Sequence, residues 1–228
     1  MRKLFALLLS ITTISLYAQT GPAGVGNSTN NYLWLDATDF QFTNSNNDQI
    51  STWSDKSGNG NNFTQGSLSL QPRYYNYTFP TIRFDGVNDY MLRGSMTGAN
   101  SNTQTRIIVS QTTATGFIFT SAFSEHNSLL ETWSGGGEFK SRVFNSSNLA
   151  RVVSNLQTGN PQIWAFAWDG QNTNQITGYS DNNNSGTTGT AQNTASGNWR
   201  NVLGARTNYS NNYSGDIYEI INYNKVLS

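Results

Sequence analysis

The chain has 228 residues, with 13 basic and 13 acidic side chains, one histidine and no cysteine. The lack of thiols excludes a disulfide framework and thiolate-held zinc or iron–sulfur centres, and the sparse, balanced charge excludes the basic footprint that nucleic acid demands. What remains is polarity without charge: 31 asparagines and 21 glycines stand beside 13% aromatics and only 11% charged residues. Amide donors and flat rings suit neutral hydroxylated ligands such as glycans, and they suit equally a β protein with asparagine-rich turns and no ligand.

Arg2 and Lys3, an apolar run over 4–16 and a small residue at Ala18 give the layout of a secretory signal peptide. Residues 1–18 are therefore read as a removable signal, which takes two basic groups with it and leaves 11 basic against 13 acidic, a net charge of −2. No later stretch is apolar for long enough to cross a membrane as a helix. The expectation is an exported protein with no membrane insertion and no nucleic-acid partner.

Residues 19–31 are rich in Gly, Asn and Ser and read as a linker. From residue 32 onward short apolar segments recur every ten residues or so between Gly, Asn, Asp and Ser clusters, without sustained helical periodicity. Strands are expected at 32–36, 49–54, 62–65, 81–84, 89–93, 105–111 and 116–123, then at 129–133, 138–144, 149–154, 162–168, 175–180, 199–204 and 215–223. So many short strands imply an all-β, two-sheet antiparallel sandwich over 32–228, with no internal domain boundary. In the strand at 162–168, Trp164, Phe166 and Trp168 share one face and Ile163, Ala165 and Ala167 the other, so the strand is expected to be central; the Trp/Phe stripe reads either as a sugar-stacking platform or as core, and the flanking alanines, which allow close sheet approach, favour core packing. The Asn/Ser/Thr/Gly stretch over 181–189 reads as a long mobile loop.

The loop Trp53-Ser54-Asp55-Lys56-Ser57-Gly58-Asn59-Gly60 places oxygen donors at positions 1, 3 and 5 of a turn with Gly60 at position 6, which is half of a calcium-loop pattern. Gly66 stands where a bidentate glutamate would complete it. Asp, Ser, Asn and Gly also support tight turns with no metal, so both readings stand. For calcium, Asp55 and Asn59 are the first ligands, with Asp85 and Asp89 as secondary candidates flanking the Gly86-Val87-Asn88 turn. The stretch 181–186 repeats the donor spacing, as chance allows in a chain so rich in asparagine.

Four stretches together resemble laminin-G-like, concanavalin A-like jelly-roll domains of secreted Bacteroidetes proteins. They are Tyr32-Leu33-Trp34-Leu35-Asp36-Ala37, the loop at 53–60, Ile82-Arg83-Phe84-Asp85-Gly86-Val87-Asn88-Asp89-Tyr90, and the closing Gly215-Asp216-Ile217-Tyr218-Glu219-Ile220-Ile221-Asn222-Tyr223-Asn224. The resemblance implies two curved antiparallel sheets, carbohydrate binding as a tendency, and Asp216 as a third calcium ligand joining the early loop to the last strand. It also implies a chain that continues into further modules of a larger surface protein, unless the natural protein is minimal. A jelly roll hosts many functions.

Retaining glycosidases need two carboxyl groups about 5–5.5 Å apart. No Glu-x-Asp-x-Glu run exists, so the nearest candidates are Glu131 and Glu138, which a hairpin through the glycines at 135–137 would bring together. His126 beside Glu125 and Ser124 lacks the setting of a nucleophilic triad. For a glycan, aromatic residues beside amides are expected at Trp133, Trp199, Tyr209 and Tyr213. The function these residues support is a secreted or cell-surface carbohydrate-binding or adhesion module with no catalytic centre of its own, its partner a glycan or a cell-surface protein. The alternatives are a glycoside hydrolase and a structural spacer.

Overall fold

The computed structural model describes residues 21–99, 103–124, 127–135, 137–144, 148–154, 156, 159–170, 175–181, 183–189 and 200–227. The strands are β1 (Asn31–Asp36), β2 (Thr52–Trp53), β3 (Phe63–Thr64), β4 (Arg73–Asn76), β5 (Pro80–Asp85), β6 (Met91–Arg93), β7 (Thr103–Ala114) and β8 (Gly116–Ser124). They continue as β9 (Asn127–Gly135), β10 (Glu138–Phe144), β11 (Asn148–Ser154), β12 (Gln162–Asp169), β13 (Gln175–Ser180), β14 (Asn183–Gly189), β15 (Arg200–Leu203) and β16 (Ser214–Tyr223). Two eight-stranded sheets result. One runs β14-β13-β12-β7-β16-β5-β4, with β1 also on β16; the other runs β11-β10-β9-β8-β15-β6-β3-β2. Every strand pairing is antiparallel. We call them the β16 sheet and the β8 sheet.

Side-chain alternation decides which face each strand buries. In β1, Leu33 and Leu35 are fully buried while Trp34 and Asp36 are partly exposed. In β12, which lies between β13 and β7, Trp164, Phe166 and Trp168 are all buried, as expected of a central strand. The sheets meet through aromatic stacking: Phe139 of the β8 sheet lies flat on Trp164 of the β16 sheet, with centroids 4.3 Å apart and planes 4° apart. A buried guanidinium ties the layers further. Arg106 of β7 donates to Phe119 O, Thr132 Oγ1 and Ser121 Oγ of the opposite sheet and to Asn222 Oδ1 of its own. Burial pushes its pKa down to about 10, and its cation lies 3.8 Å from the Phe119 ring centroid.

β1 pairs only with β16, so its other edge would present unpaired backbone groups. The loop at 53–60 and the residue after it cover that edge with side-chain amides and a carboxylate. Asp55 Oδ1 accepts from Trp34 N, Lys56 N donates to Trp34 O, Asn59 Nδ2 donates to Asn31 O, and Asn61 Nδ2 donates to Tyr32 O. The asparagine-rich loop thus stands in for a strand.

Three expectations are corrected. The stretch over 181–189 is not a long loop: most of it is β14, paired with β13. β-Branched threonines at 187 and 188 fit a strand that the glycines obscured in sequence. The described part of the proposed linker is docked rather than free, since Pro22 is buried, Tyr223 Oη donates to Val25 O and Asn224 Nδ2 donates to Thr29 O. β4 carried no strand signal recognised in sequence, and β2 spans only Thr52–Trp53 of the stretch expected at 49–54.

Candidate functional site

The sandwich leaves a groove of about 410 Å³ on the outer face of the β16 sheet, within the size range of small-molecule sites. Its floor is apolar. Ile163 of β12 and Phe79, just before β5, are large side chains left 51% and 65% exposed, and Val109, Pro80 and Pro161 lie beside them. Pro80 stands at the first position of β5, where the missing amide costs least. Adjacent exposed apolar residues in a concave setting mark a binding surface more often than chance exposure does.

The rim is acidic. Asp36 of β1 and Glu219 of β16 are register partners across an antiparallel pair, so they share a face, their Cβ atoms about 4.5–5.5 Å apart. Asp36 is firmly held: Oδ1 accepts from Thr38 N and Oγ1, and Oδ2 accepts from Lys56 Nζ at 2.9 Å. Burial alone would raise its pKa, but the hydrogen bonds from Lys56 and Thr38 outweigh burial and hold it below the usual carboxylate range. Lys56 also pairs with Asp39 and lies 4.6 Å from the Trp34 ring centroid. Glu219 is held differently. Its Oε1 accepts from Trp34 Nε1 at 2.8 Å, and burial, against that bond and with Asp36 nearby, raises its pKa. Asp181 closes the rim at the end of β13, with Oδ1 accepting from Ile163 N. Among the described residues no cation is ion-paired with Glu219 or Asp181. Tyr218 donates to Gln111 Oε1, and burial pushes its phenol up to about 12, so it stays a neutral donor.

The calcium ligands proposed from sequence do not form one site. Both Asp55 oxygens are filled by protein donors: Oδ1 accepts from Trp34 N and Ser57 N, and Oδ2 accepts from Ser57 Oγ and Asn61 N. Those four bonds use the acceptor capacity of a carboxylate. Asn59 turns its Nδ2 toward Ser28 O, Asn31 O and Ser57 Oγ. Asp216 is forked by Arg83, at 2.8 and 2.7 Å. It also lies five residues along β16 from Ile221, the register partner of Trp34, or roughly 17 Å. This donor set does not fit a calcium ion. Asp85 Oδ1 caps its own turn by accepting from Val87 N and Asn88 N, and Asp89 Oδ2 accepts from Asp85 N. Among the described residues no three His, Cys, Asp or Glu side chains cluster as a metal site.

The hairpin does not unite Glu131 and Glu138. Glu131 faces Arg142 and is ion-paired with it at 2.6 Å, whereas Glu138 faces Gly135 and pairs with Lys140. Four residues of β10, about 13 Å, separate the two register positions. Of the aromatic candidates, Trp133 is partly exposed on the outer face of β9 and Tyr209 is exposed. Tyr213 is a correction: it is fully buried, packed on Phe84 and hydrogen-bonded to Thr112 Oγ1, so it belongs to the core. Trp199, Glu125 and His126 lie outside the described residues. Sequence reasoning missed Asp36, Glu219, Phe79 and Tyr218 as site residues, and Asp36 and Glu219 are far apart in the chain. The polar positions of two otherwise apolar alternating strands were the available signal.

No protein-family model matches the chain, and no curated protein matches it. Solved structures do. The chain resembles the receptor binding domain of botulinum neurotoxin type G, with a TM-score of 0.61 and 9% identity over 87% of this chain and 49% of that one. It resembles the receptor binding domain of botulinum neurotoxin mosaic serotype C/D, with a TM-score of 0.60 and 10% identity over 88% and 49%. A K499G mutant of NanB sialidase from Streptococcus pneumoniae matches with a TM-score of 0.52 and 12% identity over 65% and 26%. The chain therefore spans about half the length of the neurotoxin domains it matches. At such identities the likeness concerns architecture, and together with the two antiparallel sheets it makes this chain an all-β jelly-roll sandwich.

Proposed function

We propose that this chain is an exported carbohydrate-binding module of the adhesion type that seats a hydroxylated saccharide in the groove of the β16 sheet. The carrying observation is the groove itself: exposed Phe79 and Ile163 offer an apolar seat for a sugar ring, while Glu219 and Asp181 offer carboxylate acceptors that are ion-paired with no cation among the described residues. Carboxylates accept hydroxyl protons in short, charge-assisted bonds, and a ring face supplies apolar contact, which is the pairing a pyranose requires. The N-terminal signal layout supports export. The neighbours' own names, receptor binding domain and sialidase, agree with a recognition role without supplying a ligand.

A glycan array followed by calorimetric titration tests this reading. Wild type is expected to retain at least one neutral oligosaccharide, and Phe79→Ala and Glu219→Gln each to weaken it by roughly tenfold, about 1.4 kcal/mol. An array without a retained neutral glycan would favour the spacer reading, and unchanged affinity in both variants would remove the groove from consideration.

One observation favours hydrolysis as a second reading. Asp36 and Glu219 are paired carboxylates whose environments push their pKa values in opposite directions, the division of labour that an acid and its partner base require. Reducing-sugar release from the retained glycan, lost in Glu219→Gln, would establish it; binding without release leaves the module as a binder.

A further inference from the structure

The outer face of the β8 sheet carries a surface of opposite chemistry. Phe117 of β8 and Trp133 of β9 are register partners on that face, stacked with centroids 5.7 Å apart and planes 24° apart. The Arg142 guanidinium lies 5.3 Å from the Trp133 ring centroid, and that of Arg206, in the turn after β15, lies 5.6 Å from the Phe117 ring. The same turn extends the row. Arg200 Nη1 donates to Thr207 O, and its guanidinium lies 5.7 Å from the ring of Tyr209, which is stacked on Tyr90 at 4.5 Å. The turn is held in place by Gly204, whose φ of +81° and lack of a side chain let it pass Phe84, since a Cβ there would sit 2.2 Å from that ring.

The cations of this row differ in how they are satisfied. Arg142 is paired with Glu131, and Lys140 with Glu138. Among the described residues Arg200 and Arg206 are ion-paired with no carboxylate, and Arg206 Nε is buried with no acceptor. A guanidinium remains charged at every relevant pH and offers five donors in a planar fork. Arg200 is exposed and Arg206 partly exposed, so both side chains can meet an acceptor from outside, and an anionic one matches both the charge and the fork. Ring contacts hold the guanidiniums in orientation, which lowers the entropy lost on binding.

We propose that this row is a second saccharide site, specific for an anionic sugar, whose carboxylate or sulfate oxygens are forked by Arg200 and Arg206 while its ring rests on the Tyr209 and Trp133 edge of the ledge. A neutral sugar leaves the forks unfilled. The acidic groove on the opposite face repels the anion that this row attracts, so the two sites select different ligands and neither depends on the other.

The test immobilises a polyuronate, dextran sulfate and neutral dextran separately and measures binding of the full chain at low ionic strength. At least one polyanion is expected to bind, neutral dextran is not expected to bind at this ledge, and added salt is expected to weaken the polyanion complex. Arg200→Gln with Arg206→Gln should weaken polyanion binding by about tenfold or more, whereas the groove variant Phe79→Ala should leave it unchanged. Binding to the polyuronate alone assigns the carboxylate, to dextran sulfate alone the sulfate ester, and to both the shared oxyanion. Failure of both polyanions to bind, or wild-type affinity in the double variant, overturns the proposal. Should the glutamine pair fail to fold, Arg200→Lys with Arg206→Lys decides, because lysine keeps the charge and loses the fork: an affinity drop supports forked recognition and an unchanged affinity overturns it.

Discussion

Asp55→Asn tests directly whether the loop at 53–60 is built by protein donors or by a cation. In the wild type the carboxylate accepts four bonds of 2.8–2.9 Å, three from backbone amides and one from a hydroxyl. Asparagine keeps the shape but turns one oxygen into an NH₂ group. The Ser57 hydroxyl can rotate and accept from that group, whereas the Asn61 amide cannot, so one donor is orphaned and the charge assistance of the remaining bonds is lost. An orphaned, partly buried donor costs about 1–3 kcal/mol, and the weakened charged bonds add roughly 1 kcal/mol more, giving a total near 3 kcal/mol. For a chain of this size that is a fall in Tm of roughly 6–12 °C. The assay is differential scanning calorimetry of both proteins, each with and without EDTA. A loop built by protein donors gives a large fall in the variant and no chelator effect in the wild type. A wild-type melt lowered by EDTA, with the loss absent in Asp55→Asn, would show that the carboxylate serves a metal and that the hydrogen-bond argument is wrong.

Two further outcomes follow from the same structure. Burial, and after it the charge of Asp85, pushes the Asp89 carboxyl up from 3.8 to about 6. Because the folded value is the higher one, the favourable contribution is complete below about pH 4 and is lost as pH rises through about 6. Asp89→Asn should therefore melt above wild type at pH 7.5, by at most about 3 kcal/mol at ~1.4 kcal/mol per unit, with the gap closing toward pH 4; a gap independent of pH would refute the assignment. Phe139→Ala removes the ring stacked on Trp164 and Phe166 and should cost about 3–5 kcal/mol in urea unfolding. A loss under about 1 kcal/mol would mean that the two sheets do not depend on that contact.

Strands were legible wherever alternation and β-branched or aromatic residues coincided, as in β1, β12 and β16, because the period of two is a local property. β14 was hidden because Asn, Gly and Thr in sequence cannot distinguish a polar edge strand from a loop; pairing with β13 decides it. The loop at 53–60 stood out in sequence, yet its chemistry was ambiguous, since the residues that ligate calcium also cap turns and the deciding donors, such as the Trp34 amide, lie elsewhere in the chain. Tyr209 and Tyr213 show the same limit over four residues: one is exposed and stacked on Tyr90, the other closes the core against Phe84. The groove was illegible for a stronger reason. Asp36 and Glu219 become partners only when β1 lies on β16, and Phe79 joins them only through β5.

The formal net charge of zero conceals local differences in charge between the two outer faces. Several acids and bases among the described residues are paired with each other, Lys56 with Asp36 and Asp39, Arg83 with Asp216, Lys140 with Glu138, and Arg142 with Glu131. Among the described groups in no ion pair, Glu219 and Asp181 lie over the β16 sheet and Arg200 and Arg206 over the β8 sheet. In a thin sandwich the two outer faces stay apart by the thickness of both sheets. On the two proposals above, association rates should depend little on salt at the groove, where a neutral ligand is held by short-range hydrogen bonds, and clearly on salt at the arginine ledge. That contrast, measured on one protein with two ligands, separates the two sites without any mutation.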